Sequence, residues 1–407
     1  MFLDVLRRRN PDFIRTAQSL HQAGMIPANS YVLDLDAVTE NARLMRAEGD
    51  RLGLKVYAMT KQVSRNTGFS RAVMAGGIDR AVAVDMACAI ACQNAGLRIG
   101  HLGHLVQVPR AEAAMAARDL APDYWTVFSD DKAAEAATAA KASGREQALL
   151  ARVQTQGDTF YRGHEGGFAA EAAVEAARRI DALDGACFAG ITTFPAQLYD
   201  HTSRRVRHTP NLATLQRTAD ALRRAGFSDL EINAPGTTSL VTLQALAEAG
   251  ATQVEPGNGL HGTTPLHAVD DLPERPAVLY LTEVSHLHAG RAYCFGGGLY
   301  IDPVFPEYDV QALVGPEPTV DAASLRSVEI PPPAAIDYYG MIDATGPTPT
   351  PPRTGDTVVF GFRGQAFVTR AYSVGIAGIS TGNPQVISIE NIFGQPEPWP
   401  RLRKAIS

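Results

Sequence analysis

The stretch Leu54-Lys55-Val56-Tyr57-Ala58-Met59-Thr60-Lys61 decides the fold: a short apolar, strand-like run that ends abruptly in a lysine and passes into a helical pattern over Gln62 to Ala75. The same alternation recurs along the chain. Strand-like runs follow at Ala81 to Asp85, Arg98 to Leu105, Tyr124 to Ser129, Leu149 to Gln154, Cys187 to Phe194, Leu230 to Asn233 and Thr252 to Glu255. Between them lie Ala-rich helical stretches, among them Ala111 to Arg118, Lys132 to Ser143, Ala170 to Leu183, Leu212 to Ala225 and Leu240 to Ala249. Repeated strand and helix patterns make βα units with a parallel sheet. Eight strands spaced by roughly 20 to 40 residues predict a (β/α)8 TIM barrel over residues 36–267 rather than an open doubly wound sheet.

After His267 the pattern changes to Pro-rich connections and period-two runs at Ala277 to Val284, Arg291 to Phe295, Thr357 to Gly361 and Ala366 to Val374. Residues 268–407 therefore read as a β-rich, β-barrel-like second domain. The strand-like Tyr31 to Leu35 precedes the first barrel strand, so residues 1–35 are expected to pack with that domain. The proline-rich Pro331 to Pro352 reads as a long surface connection reaching toward a neighbouring subunit. With 407 residues and 45% hydrophobic composition the chain has enough apolar matter for two domains. A net charge of −6 with the signs well mixed leaves no basic stripe for nucleic acid or an anionic membrane. No apolar run approaches the roughly 18 residues of a membrane span, and the chain reads as cytoplasmic with a small-molecule partner. The four cysteines are scattered, and Cys88 and Cys92, four apart in a helical stretch, read as packing.

In such a barrel the chemistry sits at the carboxyl ends of the strands. Lys61 closes the first strand, where partial desolvation makes an amine less basic and able to form an imine. After strand seven comes Asn233-Ala234-Pro235-Gly236-Thr237-Thr238, and after strand eight Glu255-Pro256-Gly257-Asn258-Gly259. Loops of this kind offer backbone N–H groups to a phosphate. Two of them, with a lysine across the barrel, point to a phosphate-bearing cofactor bound as an imine.

Lys61 after strand one, Tyr161-Arg162-Gly163 after strand five, Gly190-Ile191-Thr192-Thr193-Phe194 at strand six, Asn233 after strand seven and Pro256-Gly257-Asn258-Gly259-Leu260-His261-Gly262 after strand eight together resemble the alanine racemase family. These are the fold-type III pyridoxal enzymes. Ala58-Met59-Thr60-Lys61-Gln62 and Tyr293-Cys294-Phe295-Gly296-Gly297-Gly298 are similar to its YhfX-like branch. The resemblance covers the barrel well and the C-terminal domain in outline. It implies pyridoxal 5′-phosphate as cofactor, Lys61 as the Schiff-base lysine and one of two proton-transfer groups, and Arg162 near the cofactor's phenolic oxygen. Phe194 stands where the family has a histidine against the ring, and Arg65 where it has a phosphate-binding tyrosine. Gly257 and Asn258, with Asn233 and Thr237 opposite, would complete the phosphate cup.

Glu255 departs most from the family, taking the place of the arginine that faces the pyridine nitrogen. A carboxylate there would pair with a pyridinium and strengthen the electron sink. The second acid or base is expected from the β domain, supplied across a homodimer interface by Tyr293 or Cys294. Strand alternation points those two side chains in opposite directions, and Tyr293 is favoured. The implied activity is that of an amino-acid racemase or epimerase working by α-proton abstraction. A decarboxylase or aldolase of the same fold is the alternative that Glu255 and Cys294 support, and a non-catalytic cofactor-binding protein is a second. No metal site is expected: the turn Gly361-Phe362-Arg363-Gly364-Gln365 lacks ligands, and His286 and His288 lack a third. His101 and His104 read as barrel-mouth residues. Arg204, Arg205 and Arg207 read as a solvated helix face, or as a clamp for an anionic substrate group.

Overall fold

Eight parallel strands close on themselves in the computed structural model, which describes residues 1–300, 303–305, 308–345 and 350–399. The order around the sheet is Lys55–Val56, Gln253–Val254, Glu231–Asn233, Ala186–Thr192, Gln147–Gln154, Tyr124–Val127, Arg98–Leu102, Arg80–Ala83 and Ala58–Met59. The first and last of these are the two halves of one run, interrupted at Tyr57, so the sheet is a ring of eight. All of its pairings are parallel. The ring belongs to a unit made of Ala42–Thr60 and Val73–Leu260.

Side-chain caps mark where strands hand over to helices. The Asp85 side chain accepts the amide of Cys88 at 2.7 Å and opens helix Met86–Asn94; Ser129 does the same for Lys132 and helix Asp130–Ala142. Close approach of backbones fixes one glycine, since a Cβ on Gly190 would lie 1.9 Å from the carbonyl oxygen of Glu231 on the next strand. Cys88 and Cys92 are fully buried, with Sγ atoms 3.8 and 3.2 Å from Thr60 Oγ1. They pack beneath the end of the first strand.

A second unit is made of Met1–Asn41, Lys61–Ala72 and His261–Ser407. Its strands Arg291–Phe295, Tyr339–Asp343, Leu325–Glu329, Gln311–Gly315, Thr357–Phe360 and Val278–His288 form a closed antiparallel ring, completed by pairing of the last with the first. Three more strands extend it: Ser30–Asp34 pairs antiparallel with Val278–His288 and parallel with Tyr372–Ala377, which pairs with Gln385–Glu390. Phe13 and Ile14 of helix Pro11–Gln22 share one core with Val32, Leu281, Leu313 and Val359.

Three local expectations change. Pro331 to Pro352 is not simply a surface connection: Tyr339–Asp343 buries Gly340 and Ile342 in alternation and pairs on both sides, while 346–349 lie outside the described residues. Ala366 to Val374 is not one strand, because the Thr369 hydroxyl donates to the Ala366 carbonyl at 2.7 Å and closes a 3-10 turn Ala366–Val368 before strand Tyr372–Ala377. The Arg204 to Arg207 cluster is a β-hairpin arm, with Gln197–Asp200 paired to Arg205–His208 and Arg207 bridged to Asp200 at 3.1 Å.

Candidate active site

Lys61 opens a 3-10 turn, Lys61–Val63, one residue after the strand Ala58–Met59. Met59 donates its amide to the carbonyl of Pro256 at 2.9 Å, which ties that strand end to the segment carrying Glu255. The Lys61 ammonium lies 5.3 Å from the centroid of the Phe367 ring. Ser64 and Arg65 follow with φ of 57° and 59°. Left-handed backbone costs non-glycine residues about 1–2 kcal/mol each, and such strain concentrates where a chain is held for function. Ser373 Oγ donates to the Val63 carbonyl at 2.9 Å, and Asn66 Oδ1 accepts the Phe69 amide at 2.9 Å, holding the turn. Arg65, expected at the phosphate, is buried with Nη1 donating to the Ile392 carbonyl at 2.9 Å.

At the carboxyl ends of the barrel strands a carboxylate gathers its neighbours. The Glu255 side chain is 1% exposed, His101 0% and His104 2%. Glu255 Oε1 takes a short hydrogen bond from His101 Nδ1 and one of 2.8 Å from Asn233 Nδ2. His101 Nε2 meets Thr126 Oγ1 at 2.5 Å, and Asn233 Oδ1 accepts the Thr192 hydroxyl at 2.7 Å. Five strand ends are thereby tied together. Oε2 accepts no hydrogen bond from the described residues, though His104 Nδ1 stands 3.1 Å away as an ion-pair partner. Burial pushes the Glu255 carboxyl up, but the charges of His104 and His101 and the hydrogen bonds from His101 and Asn233 outweigh it, and the net direction is down. The three donor groups lie within 4.8 Å of one another, a span a metal ion could bridge. Both His101 nitrogens are already hydrogen-bonded, so the cluster is built as a hydrogen-bonded network around a carboxylate.

Around it the loops differ in part from expectation. Asn233 is spent on Glu255 and Thr192 rather than held open for a phosphate. The Thr237 amide is given to the Gln197 carbonyl at 3.1 Å, and Gln197 Nε2 returns a hydrogen bond to the Thr237 carbonyl at 2.9 Å. The two glycine loops meet: a Cβ on Gly259 would lie 2.5 Å from the Thr238 carbonyl oxygen, and one on Gly236 2.4 Å from that of Gln197. Gly257 is buried, and Asn258 opens a 3-10 turn. Phe194 is half-buried, edge-on to His104 with centroids 5.3 Å apart.

Arg162 lies exposed on the loop after Gln147–Gln154, whereas Arg152, inside that strand, is 0% exposed. Its Nη2 donates to the carbonyls of His164 at 2.5 Å and Phe194 at 3.4 Å, and its guanidinium lies 4.7 Å from the Phe128 ring centroid. Nε and Nη1 find no hydrogen-bond partner among the described residues. Burial, partly opposed by Glu165, pulls this arginine down to about 10. A charged residue in the apolar run Leu149-Leu150-Ala151-Arg152-Val153 was the signal in the sequence for this position.

In the β unit, strand Arg291–Phe295 alternates as expected. Cys294 is 0% exposed, and burial pushes its thiol up to about 12. Tyr293, on the other face, is half-buried and stacked on His286 with centroids 4.6 Å apart and planes 8° apart.

Comparison with known proteins agrees with this architecture. Residues 33–265 match the alanine racemase N-terminal domain, and residues 279–386 the YhfX-like C-terminal domain. A relative described as uncharacterized protein YhfX, from Escherichia coli strain K12, is 38% identical over 396 residues, covering 97% of this chain and 99% of its own. Among solved structures, D-threonine aldolase from Filomicrobium marinum superposes with a TM-score of 0.65 at 17% identity, covering 94% of this chain and 98% of that one. Alanine racemase of Clostridium difficile 630, in complex with cycloserine, gives 0.63 at 14%, covering 90% and 99%. D-threo-3-hydroxyaspartate dehydratase from Delftia sp. HT23 gives 0.61 at 17%, covering 89% and 96%. The chain belongs to the alanine racemase-like family of fold-type III pyridoxal phosphate enzymes, in its YhfX-like branch.

Proposed function

We propose that the protein is a pyridoxal phosphate-dependent enzyme that removes the α-proton of a bound amino acid, with racemisation or epimerisation as the outcome. The observation that carries this reading is the Glu255 cluster, a buried carboxylate with one oxygen committed to His101 and Asn233 and the other accepting no hydrogen bond from the described residues. An oxygen so placed suits the N–H of a pyridinium ring. Bound there, the cofactor would supply an electron sink for charge left at the α-carbon.

The remaining work falls to the chain's own side chains. Lys61 Nζ would hold the cofactor covalently and, once displaced by the substrate amine, carry the proton on one face of the α-carbon. Phe194 would offer a flat apolar face to the ring. Arg152 has two nitrogens without a hydrogen-bond partner among the described residues and 0% exposure, which suits the phenolic oxygen better than the exposed Arg162. The loops at Gly236 and Gly259 come close enough to exclude side chains, and with Gly257 they would offer backbone to the phosphate. Tyr293 would serve the second face from a partner copy in a homodimer; Cys294, buried with its thiol pushed up to about 12, is unsuited to that role.

A second reading, aldol cleavage or decarboxylation, is favoured by one observation: a carboxylate at position 255 makes the ring a stronger sink than an arginine would. One preparation tests all of this. Borohydride reduction followed by peptide mapping should place the cofactor on Lys61, and L- and D-amino acids in D2O should show α-deuterium incorporation with loss of chirality. Cofactor on another lysine would overturn the assignment of Lys61. Aldehyde or CO2 release without racemisation would replace the first reaction by the second.

A further inference from the structure

The two oxygens of Glu255 are not equivalent. Oε1 is held by His101 and Asn233, and His101 is itself anchored through Nε2 to Thr126. Oε2 accepts no hydrogen bond from the described residues and has His104 Nδ1 at 3.1 Å as an ion-pair partner. The His101 and His104 rings stand 5.6 Å apart at 70°, and Phe194 meets His104 edge-on. Of the titratable groups around this carboxylate, the two imidazoles come from strand Arg98–Leu102 and the residues just after it. Tyr57, from the first strand, is held protonated mainly by burial, with Glu255 among the carboxylates that add to it. Asn233, Thr126 and Thr192 are neutral.

A carboxylate at 1% exposure needs a positive partner. Among the described residues, the ion-pair partners of Glu255 are the imidazoles of His101 and His104. A pyridinium arriving at Oε2 would place a second cation beside His104, and a like charge at that range lowers a neighbour's affinity for its proton. His101, bonded at both nitrogens, keeps its place.

We propose that His104 is a positioning residue and the exchangeable counter-charge of Glu255, releasing its proton to solvent when the ring nitrogen of pyridoxal phosphate takes Oε2. This rests on the cofactor reading above. Linkage is reciprocal, so cofactor affinity rises with pH across the range in which His104 titrates in the cofactor-free protein.

The test is calorimetric titration of full-length, cofactor-stripped protein with pyridoxal phosphate, in two buffers free of amines and phosphate that differ in ionisation enthalpy. The dependence of the heat on the buffer gives the protons exchanged. At the pH of greatest difference in a pH series, the wild type should release up to about one proton more than His104→Asn, because Schiff-base formation at Lys61 contributes equally to both. Equal proton counts overturn the proposal while leaving the cofactor reading intact. No cofactor uptake by the wild type, in heat or in borohydride adduct, removes both. A second measurement needs no variant: in 15N-histidine-labelled wild type, the His104 ring signals should move toward the neutral form on adding cofactor, and a persistent imidazolium would overturn the proposal.

Discussion

Replacing Glu255 by Gln tests the heart of the proposed chemistry at small structural cost. The amide oxygen can occupy the Oε1 position and keep the hydrogen bonds from His101 and Asn233, 2.8 Å in the latter case. The amide nitrogen then falls at Oε2, about the present 3.1 Å from His104 Nδ1. Packing around the buried side chain is preserved. What disappears is the negative charge proposed to face the ring nitrogen, and with it the preference for a pyridinium. A charge-assisted hydrogen bond is worth roughly 1.5–3 kcal/mol. Expressed fully in the transition state, its loss slows turnover by about ten- to a hundredfold. Cofactor content should fall far less, since the proposed covalent link at Lys61 and the proposed phosphate contacts at the glycine loops are untouched. The assay is kcat/KM and bound cofactor on one preparation, with whichever amino acid exchanges its α-proton. Unchanged kcat/KM at full cofactor occupancy would refute the claim that Glu255 acts on the ring.

Activity should survive exhaustive chelation, because the nitrogens of His101 are engaged by Glu255 and Thr126 rather than open to a metal; loss restored by zinc or manganese would refute this. Mixing inactive Lys61→Ala with inactive Tyr293→Phe subunits should recover up to about a quarter of wild-type activity through one intact site per mixed dimer, and no recovery despite proven subunit exchange would place the site within one chain. Acid stability should depend on His21, buried against Thr357 Oγ1 at 2.9 Å and pulled down to about 4 by burial. Between that value and its unfolded value near 6.5, only the unfolded state binds the proton, so stability falls as pH drops from 6.5 to 4, by on the order of 3 kcal/mol. His261, pulled down to about 3 by burial and by His267 and Arg363, adds a second proton of the same sign. His21→Gln should therefore flatten about half of this limb in urea melts; an unchanged limb would show that His21 protonates without unfolding.

The sequence by itself determined the barrel and the position of its lysine. Both rest on short-range patterns: an apolar run such as Leu54 to Thr60 followed by a helical period, repeated eight times, admits few closures, and a lysine ending such a run must sit at a strand's carboxyl end. The alternation that separates Tyr293 from Cys294 is likewise local, since neighbours on a strand face opposite ways. Glu255 stood out because a carboxylate occupied an arginine's place in a recognisable loop. Its partners did not, for they come from strands up to 154 residues away, and nothing in Arg98 to His104 shows which residue the two imidazoles will meet. Arg152 and Arg162 are ten residues apart, and only burial distinguishes the arginine with two nitrogens unpartnered among the described residues from the solvated one. The two oxygens of Glu255 are alike in any sequence; closure of the barrel distinguishes them, because it fixes His101, Asn233 and Thr126 around the first and leaves the second beside His104 with no hydrogen bond from the described residues.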